Sequence, residues 1–264
     1  MRIKNLENIL IIFVLNLLII FSVSAQNRTD ANGKKQGEWV KYKNSSKFYE
    51  GQFVDDIPVG KFNYYYPSGH LKICIEYFEN GRLNRTKIFF DADKEKLQAQ
   101  GNYLDKKKDS VWNYYNEKEH LIAIENYRNG LKHGEFKVFN QQGQLNLVSE
   151  YERDTLLGQS KEYYENGALF RIISYEKGMR SGLFELFYAE GNLLLEGNYK
   201  KDVRDSIWTT YSESGNIDFL DYYFEGVLKK RIDKNGNKLE IRKEEVTNPL
   251  NIDPSVFDPT ALKR

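Results

Sequence analysis

The sequence predicts an all-β protein: an elongated meander of about nine tandem antiparallel β-hairpin repeats, forming a twisted single-layer or solenoid-like sheet after an N-terminal signal helix. Three observations carry that expectation. The phrase "GEFKVFNQQGQL" at Gly134 returns as "GLFELFYAEGNL" at Gly182 and "SIWTTYSESGNI" at Ser206. Its anchors are Gly37, Gly60, Arg85, Ser110, Gly134, Gly158, Gly182 and Ser206, in steps of 23, 25 and 25 and then four of 24, with a worn ninth copy near Lys230. A fixed period in this range marks a repeat architecture and outweighs a two-domain division of 264 residues. Composition agrees, because 14% aromatics, 19 Tyr and 19 Gly favour strands and tight turns.

Residues 1–25 read as a signal peptide. Arg2 and Lys4 precede a run from Ile9 to Val23 that only Asn16 and Ser22 interrupt, and Val23-Ser24-Ala25 fits a small-residue cleavage site. Cleavage is expected after Ala25, with an uncleaved membrane anchor as the alternative. No Cys follows the apolar run, which argues against a lipoprotein anchor. Export therefore places the chain in the periplasm, the outer envelope or the medium. Cys74 is the sole cysteine, so no intramolecular disulfide forms and packing alone must hold the fold.

Residues 26–36 are a short leader, and 37–242 hold the repeats. Two residues after the anchor stands an aromatic: Trp39, Phe62, Trp112, Phe136, Phe184 or Trp208. Three residues later comes a second, at Tyr42, Tyr65, Tyr115, Phe139, Tyr163, Phe187 and Tyr211. Both sets are expected to be the repeat core. Their parity is opposite, so either both sheet faces carry aromatics or a bulge intervenes. Turns follow at Gly69, Gly143, Gly167, Gly191 and Gly215, and a Tyr closes the second run at Tyr77, Tyr127, Tyr151, Tyr175, Tyr199 and Tyr223. Asn80-Gly81 and Asn129-Gly130 then read as hairpin turns to the next copy. A lone hairpin is marginal in water, so each copy must be the wall against which the next packs.

Residues 243–264 form a tail. Pro249, Pro254 and Pro259 exclude regular sheet and helix there. It is either solvated or a cap, with Leu250, Ile252, Val256 and Phe257 covering the last strand edge.

The pattern G-x-W/F-x-x-Y, x-x-x-G-x-L, Y-x-N-G resembles the MORN repeat variant, in its longer bacterial form found in the YwqK-type group of toxin–antitoxin antitoxins. The resemblance runs from about Gly37 to Leu239, and "NGLKHGEFKVFNQQGQL" from Asn129 carries it best. The third copy, "RTKIFFDADKEKL", lacks the anchor Gly and first aromatic; the sixth has Ser160 where the aromatic belongs. Ser110 and Ser206 replace the anchor Gly inside "KKDSVW" and "VRDSIW".

Chemistry finds little footing. The sequence has no G-x-S-x-G, H-E-x-x-H, P-loop or dinucleotide fingerprint, so no enzyme activity, cofactor or metal is expected. His70 and His120 stand about two copies apart, roughly 20 Å along such a sheet, too far to share a metal ion. "DADKE" at Asp91 suggests calcium only weakly. A net charge of +1 argues against a nucleic-acid partner, and Lys106, Lys107 and Lys108 offer only marginal attraction to anionic lipid. The expected function is a non-catalytic exported module that binds a protein or acts as a scaffold in the cell envelope. The alternatives are an antitoxin or immunity protein neutralising a partner toxin, as the resemblance implies, and a peripheral membrane-associated scaffold.

Overall fold

The computed structural model describes residues 26–241, which fall into two compact units meeting in sequence at Glu119/His120. The signal peptide, its cleavage point after Ala25 and the proline tail lie outside the described residues. Both units are antiparallel β-meanders, as the repeat predicted, and the only helical element among the described residues is a 3-10 turn at Glu79–Gly81.

The first unit runs β1 (Arg28–Thr29), β2 (Lys35–Lys43), β3 (Ser46–Val54), β4 (Ile57–Tyr65), β5 (Leu71–Phe78), β6 (Leu83–Phe89), β7 (Leu97–Leu104) and β8 (Lys107–Tyr115). Each strand pairs with the next in sequence. The second unit begins with β9 (Leu121–Arg128), β10 (Leu131–Lys132), β11 (Gly134–Phe139), β12 (Leu145–Glu152), β13 (Thr155–Tyr163) and β14 (Leu169–Glu176). It continues with β15 (Met179–Phe187), β16 (Leu193–Lys200), β17 (Val203–Tyr211), β18 (Ile217–Phe224), β19 (Val227–Asp233) and β20 (Lys238–Leu239). Here too the ladder follows chain order, with β9 pairing both β10 and β11.

Two kinds of turn alternate. Within a copy, three-residue loops place Gly69, Gly143, Gly167, Gly191 and Gly215 in the left-handed region, and each loop is closed by the same two backbone bonds, such as Tyr66 N to His70 O and Gly69 N to Tyr66 O, both 2.9 Å. Between copies, two successive left-handed residues make the reversal, for example Asp55-Asp56, Asn129-Gly130, Arg153-Asp154 and Lys201-Asp202. That is the primed turn whose twist suits a hairpin. Asn80-Gly81 departs from this expectation. Glu79, Asn80 and Gly81 all have positive φ, and with Arg82 they make a four-residue turn between paired Phe78 and Leu83 where a two-residue one was expected.

The parity question resolves both ways at once. Inside hairpins of both units the ladder skips one residue at the second aromatic: Tyr64 faces Ile73 while Tyr65 faces Leu71, leaving Lys72 extra, and Thr210 faces Phe219 while Tyr211 faces Ile217. A larger bulge sits at the anchor. Glu50 pairs Asn63 and Gln52 pairs Val59, so Gly60, Lys61 and Phe62 together oppose Gly51. The same three-against-one bulge recurs at Ser110, Gly158 and Ser206. The third copy has no left-handed residue at Arg85, and there β5 and β6 pair without interruption from Phe78 to Ile73.

Candidate functional site

The anchor bulge explains the buried aromatics. Gly60 (φ +64°), Gly158 (φ +67°), Ser110 (φ +57°) and Ser206 (φ +61°) take left-handed backbone. Each turns the next residues over the preceding strand. In the serine anchors the hydroxyl donates to the neighbouring carboxylate, Ser110 to Asp109 and Ser206 to Asp205, both 2.9 Å. Phe62, Trp112 and Trp208 consequently lie flat on Gly51, Gly101 and Gly197, where an added Cβ would come within 2.5 Å of the ring. The indole N–H of Trp112 donates to the Asn102 carbonyl at 3.0 Å, and that of Trp208 to the Asn198 carbonyl at 3.1 Å.

The closing tyrosine completes each layer. Tyr77, Tyr151, Tyr175, Tyr199 and Tyr223 sit opposite the anchors Gly60, Gly134, Gly158, Gly182 and Ser206. Absence of a large side chain at the anchor lets the phenol meet the aromatic edge-on, as in Phe62–Tyr77 at 5.4 Å and 89°. Such pairs add about 0.5–1.5 kcal/mol beyond buried area. A cation two residues before the anchor covers the ring: Lys108 is 4.5 Å from the Trp112 centroid, Lys132 4.4 Å from Phe136, and Arg204 4.0 Å from Trp208.

Phe62, Trp112, Phe136, Phe184 and Trp208 are thus buried, whereas Trp39 is only half-buried. No glycine strand precedes Trp39, and its indole N–H finds no partner among the described residues. The second aromatics depart from the core expected of them, most of all Tyr42, which is 62% exposed. Tyr65, Tyr115, Phe139, Tyr163, Phe187 and Tyr211 are all half-buried. Tyr65 donates to Glu50 and Tyr211 to Glu196 (2.6 Å), and Tyr115 accepts from Gln100 at 3.1 Å. Those partners flank the platform glycines in sequence, so these rings stand on the other sheet face. Hydrogen bonds from Tyr65 and then Lys47 hold the Glu50 carboxyl below its ordinary range. The sixth copy fills its aromatic place differently: buried Ser160 bonds Ser149 at 2.7 Å, and Arg171 pairs with buried Glu162 at 2.8 Å.

Both edges are bolted from copy to copy. On one, Tyr66, Tyr164 and Tyr188 hydroxyls donate to the carbonyls of Phe89, Phe187 and Tyr211 at 2.9, 2.7 and 2.9 Å. There too His70 Nδ1 lies 2.8 Å from Asp91, whose carboxyl is held low by Ser68 and then His70. His70 is therefore a tie between turns, and Asp91 is spent on it. On the other edge, turn residues bond the preceding copy, as Asp154 N to Lys132 O and Asp202 N to Arg180 O at 2.9 Å.

Two features of these units face solvent with the chemistry of recognition. Along the second edge of the second unit, Leu131, Met179, Val203 and Val227 each open the strand after a between-copy turn, exposed at 41, 38, 43 and 40%. Successive copies advance by roughly 10 Å, so they form a row interrupted by Thr155. In the first unit, the ends of β2 and β4 and the starts of β3 and β5 enclose an open pocket of about 460 Å³, lined by Phe48, Tyr64, Tyr65 and Tyr66 and rimmed by Lys43, Lys47 and Lys72. Among the described residues no three His, Cys, Asp or Glu side chains converge as a metal site.

Comparison with known families gives matches to the MORN repeat variant at residues 58–80, 156–177 and 180–201. Each matched segment starts two residues before an anchor glycine and ends at a between-copy turn, so the family's unit is the hairpin seen here. MORN repeats are in general protein- or membrane-binding modules. A search of curated proteins finds no match. Among solved structures, one titled "Crystal Structure of TarM" is similar at 14% identity and a TM-score of 0.26. That likeness covers 36% of this chain and 20% of the other.

Proposed function

We propose that this chain is a non-catalytic binding protein of the cell envelope, exported by its N-terminal signal, which grips a protein partner along the turn edge of its second unit. The observation that carries the reading is the row Leu131, Met179, Val203 and Val227, exposed at matching positions of four of five consecutive copies, with Thr155 at the remaining one. Scattered surface leucines mean little, but apolar residues aligned by a repeat give an extended contact strip. The three matched segments support the reading, because such repeats generally bind proteins or membranes. No cofactor enters it, and a net charge of +1 favours neither nucleic acid nor anionic lipid as the partner.

Cross-linking in envelope fractions tests the proposal. Met179→Asp/Val203→Asp should abolish the cross-linked species seen with the unaltered chain, while folding stability changes by no more than about 0.5 kcal/mol per exposed site. An unchanged cross-linking pattern, or none with either protein, counts against it. Sedimentation with anionic vesicles checks the peripheral-scaffold alternative in the same preparations.

The antitoxin reading rests on the YwqK-type resemblance of the sequence pattern and changes the partner to a toxin domain. A leader that exports the chain sits poorly with a cytosolic toxin. Co-expression with the neighbouring gene's product, without rescue of growth, would remove this reading.

A further inference from the structure

The pocket of about 460 Å³ in the first unit is of small-ligand size, within the range of roughly 300–1,000 Å³ typical of such sites. Its walls are fixed before any ligand arrives. The Tyr66 hydroxyl is tied to the Phe89 carbonyl at 2.9 Å, that of Tyr65 to Glu50, and the Ser46 hydroxyl to the Pro67 carbonyl at 3.2 Å. What remains free is informative. Lys47 is matched by Glu50 at 2.9 Å, but Lys43 and Lys72 form no ion pair among the described residues, and no carboxylate lines the cavity. The Tyr64 hydroxyl and the Asn44 amide are likewise without a hydrogen bond among the described residues. Lys72 lies over the Tyr66 ring at 5.2 Å, but a ring is no counter-ion; two ammonium groups without a carboxylate partner select an anion, and a phenol and an amide beside them select a ligand bearing hydroxyls.

Ring geometry narrows the class further. Phe48 meets Tyr64 at 82° and Tyr49 at 62°, so these rings provide no parallel pair to sandwich a flat base. Single ring faces suit the C–H surface of a pyranose. Lysines without an arginine offer point charges and no planar fork, which suits a carboxylate as well as any oxyanion. We infer that this pocket binds an acidic saccharide, a pyranose unit carrying a carboxylate, with Lys43 and Lys72 on the carboxylate and Tyr64 against the sugar ring. It is a second binding activity, in a different unit from the protein-binding row, and stands whether or not that row has a partner.

Calorimetric titration of the full chain with tri-galacturonate tests it, with the neutral galactose trisaccharide and inorganic phosphate as comparisons. Saturable binding of tri-galacturonate is expected, weakened at least about tenfold by Lys43→Ala/Lys72→Ala, with the neutral sugar weaker by a similar factor. Both lysines belong to the pocket rim and neither forms an ion pair, so the variant should fold as the parent does; Met179→Asp/Val203→Asp should leave this binding unchanged. Absence of tri-galacturonate binding overturns the inference. So does indifference to the lysine changes, equal binding of the neutral trisaccharide, or full displacement by equimolar inorganic phosphate, which would mark a bare anion site.

Discussion

Gly197 has no side chain, and that absence is what Trp208 occupies. A Cβ there would lie 2.2 Å from the indole, which is fully buried, so Gly197→Ala must expel the ring or push two strands apart. We expect a loss of about 3 kcal/mol, combining overpacking with partial loss of the buried indole. In a Trp208→Ala background the same change should cost nothing or stabilise slightly, because alanine restricts the unfolded chain more than glycine does. Urea unfolding of the four proteins gives the coupling, and additive losses would refute the stacked arrangement. The sequence did hold this signal. Gly51, Gly101 and Gly197 each stand eleven residues before Phe62, Trp112 and Trp208, and a glycine within a strand marks close approach. It was obscured because every other recurring glycine in the copy serves a turn or an anchor. Their shared role is small size, whereas the anchors need left-handed backbone.

Hairpins differ in shape according to one residue, the anchor. Where it is left-handed at Gly60, Ser110 and Ser206, three residues bulge against one and an aromatic folds onto the neighbouring strand; where Arg85 stands, the ladder is unbroken and buried Asn84 and Thr86 bond each other at 2.8 Å instead. Missing anchor and missing aromatic in the third copy are therefore one event. Ser206 holds φ +61° with its hydroxyl on Asp205, a conformation that costs an L-residue about 1–2 kcal/mol. Ser206→Gly should consequently retain stability or gain up to about 1 kcal/mol, while Ser206→Val should lose about 2 kcal/mol. Equal stability of the two variants would show that the anchor's backbone does not shape the hairpin. At this scale the sequence was nearly sufficient: strands, turns and period followed from spacing and turn residues. Opposite parity of the two aromatics left two arrangements open, and both occur, since the second set lies across the sheet from the first. Local pattern cannot reveal that, because a bulge changes which residues face each other without changing their order.

Taken whole, the chain relies on phenols more than on charge or cross-links. Cys74 can form no internal bridge, and the layers in both units are closed by tyrosines set edge-on to the buried rings. What was legible at this scale is the periodic packing; the leader and tail were read from sequence but lie outside the described residues. The aromatic layers predict a distinctive response to alkali. Burial pushes the phenols of Tyr103, Tyr151, Tyr175 and Tyr223 above the ordinary value of 10.0, and that of Tyr77 up to about 12. A phenol with a raised pKa holds its proton more tightly folded than unfolded. Its contribution is complete below pH 10.0 and is lost as pH climbs through the folded value, because the unfolded chain releases protons first. Stability should therefore be flat from neutrality to about pH 10 and then fall steeply toward pH 12, with phenolate absorbance and loss of β-sheet circular dichroism rising together. Tyr77→Phe cannot ionise, so it should retain sheet structure to higher pH than the parent chain. Phenolate absorbance that develops well before the sheet signal is lost would mean the tyrosines titrate within the folded state and do not hold the layers closed.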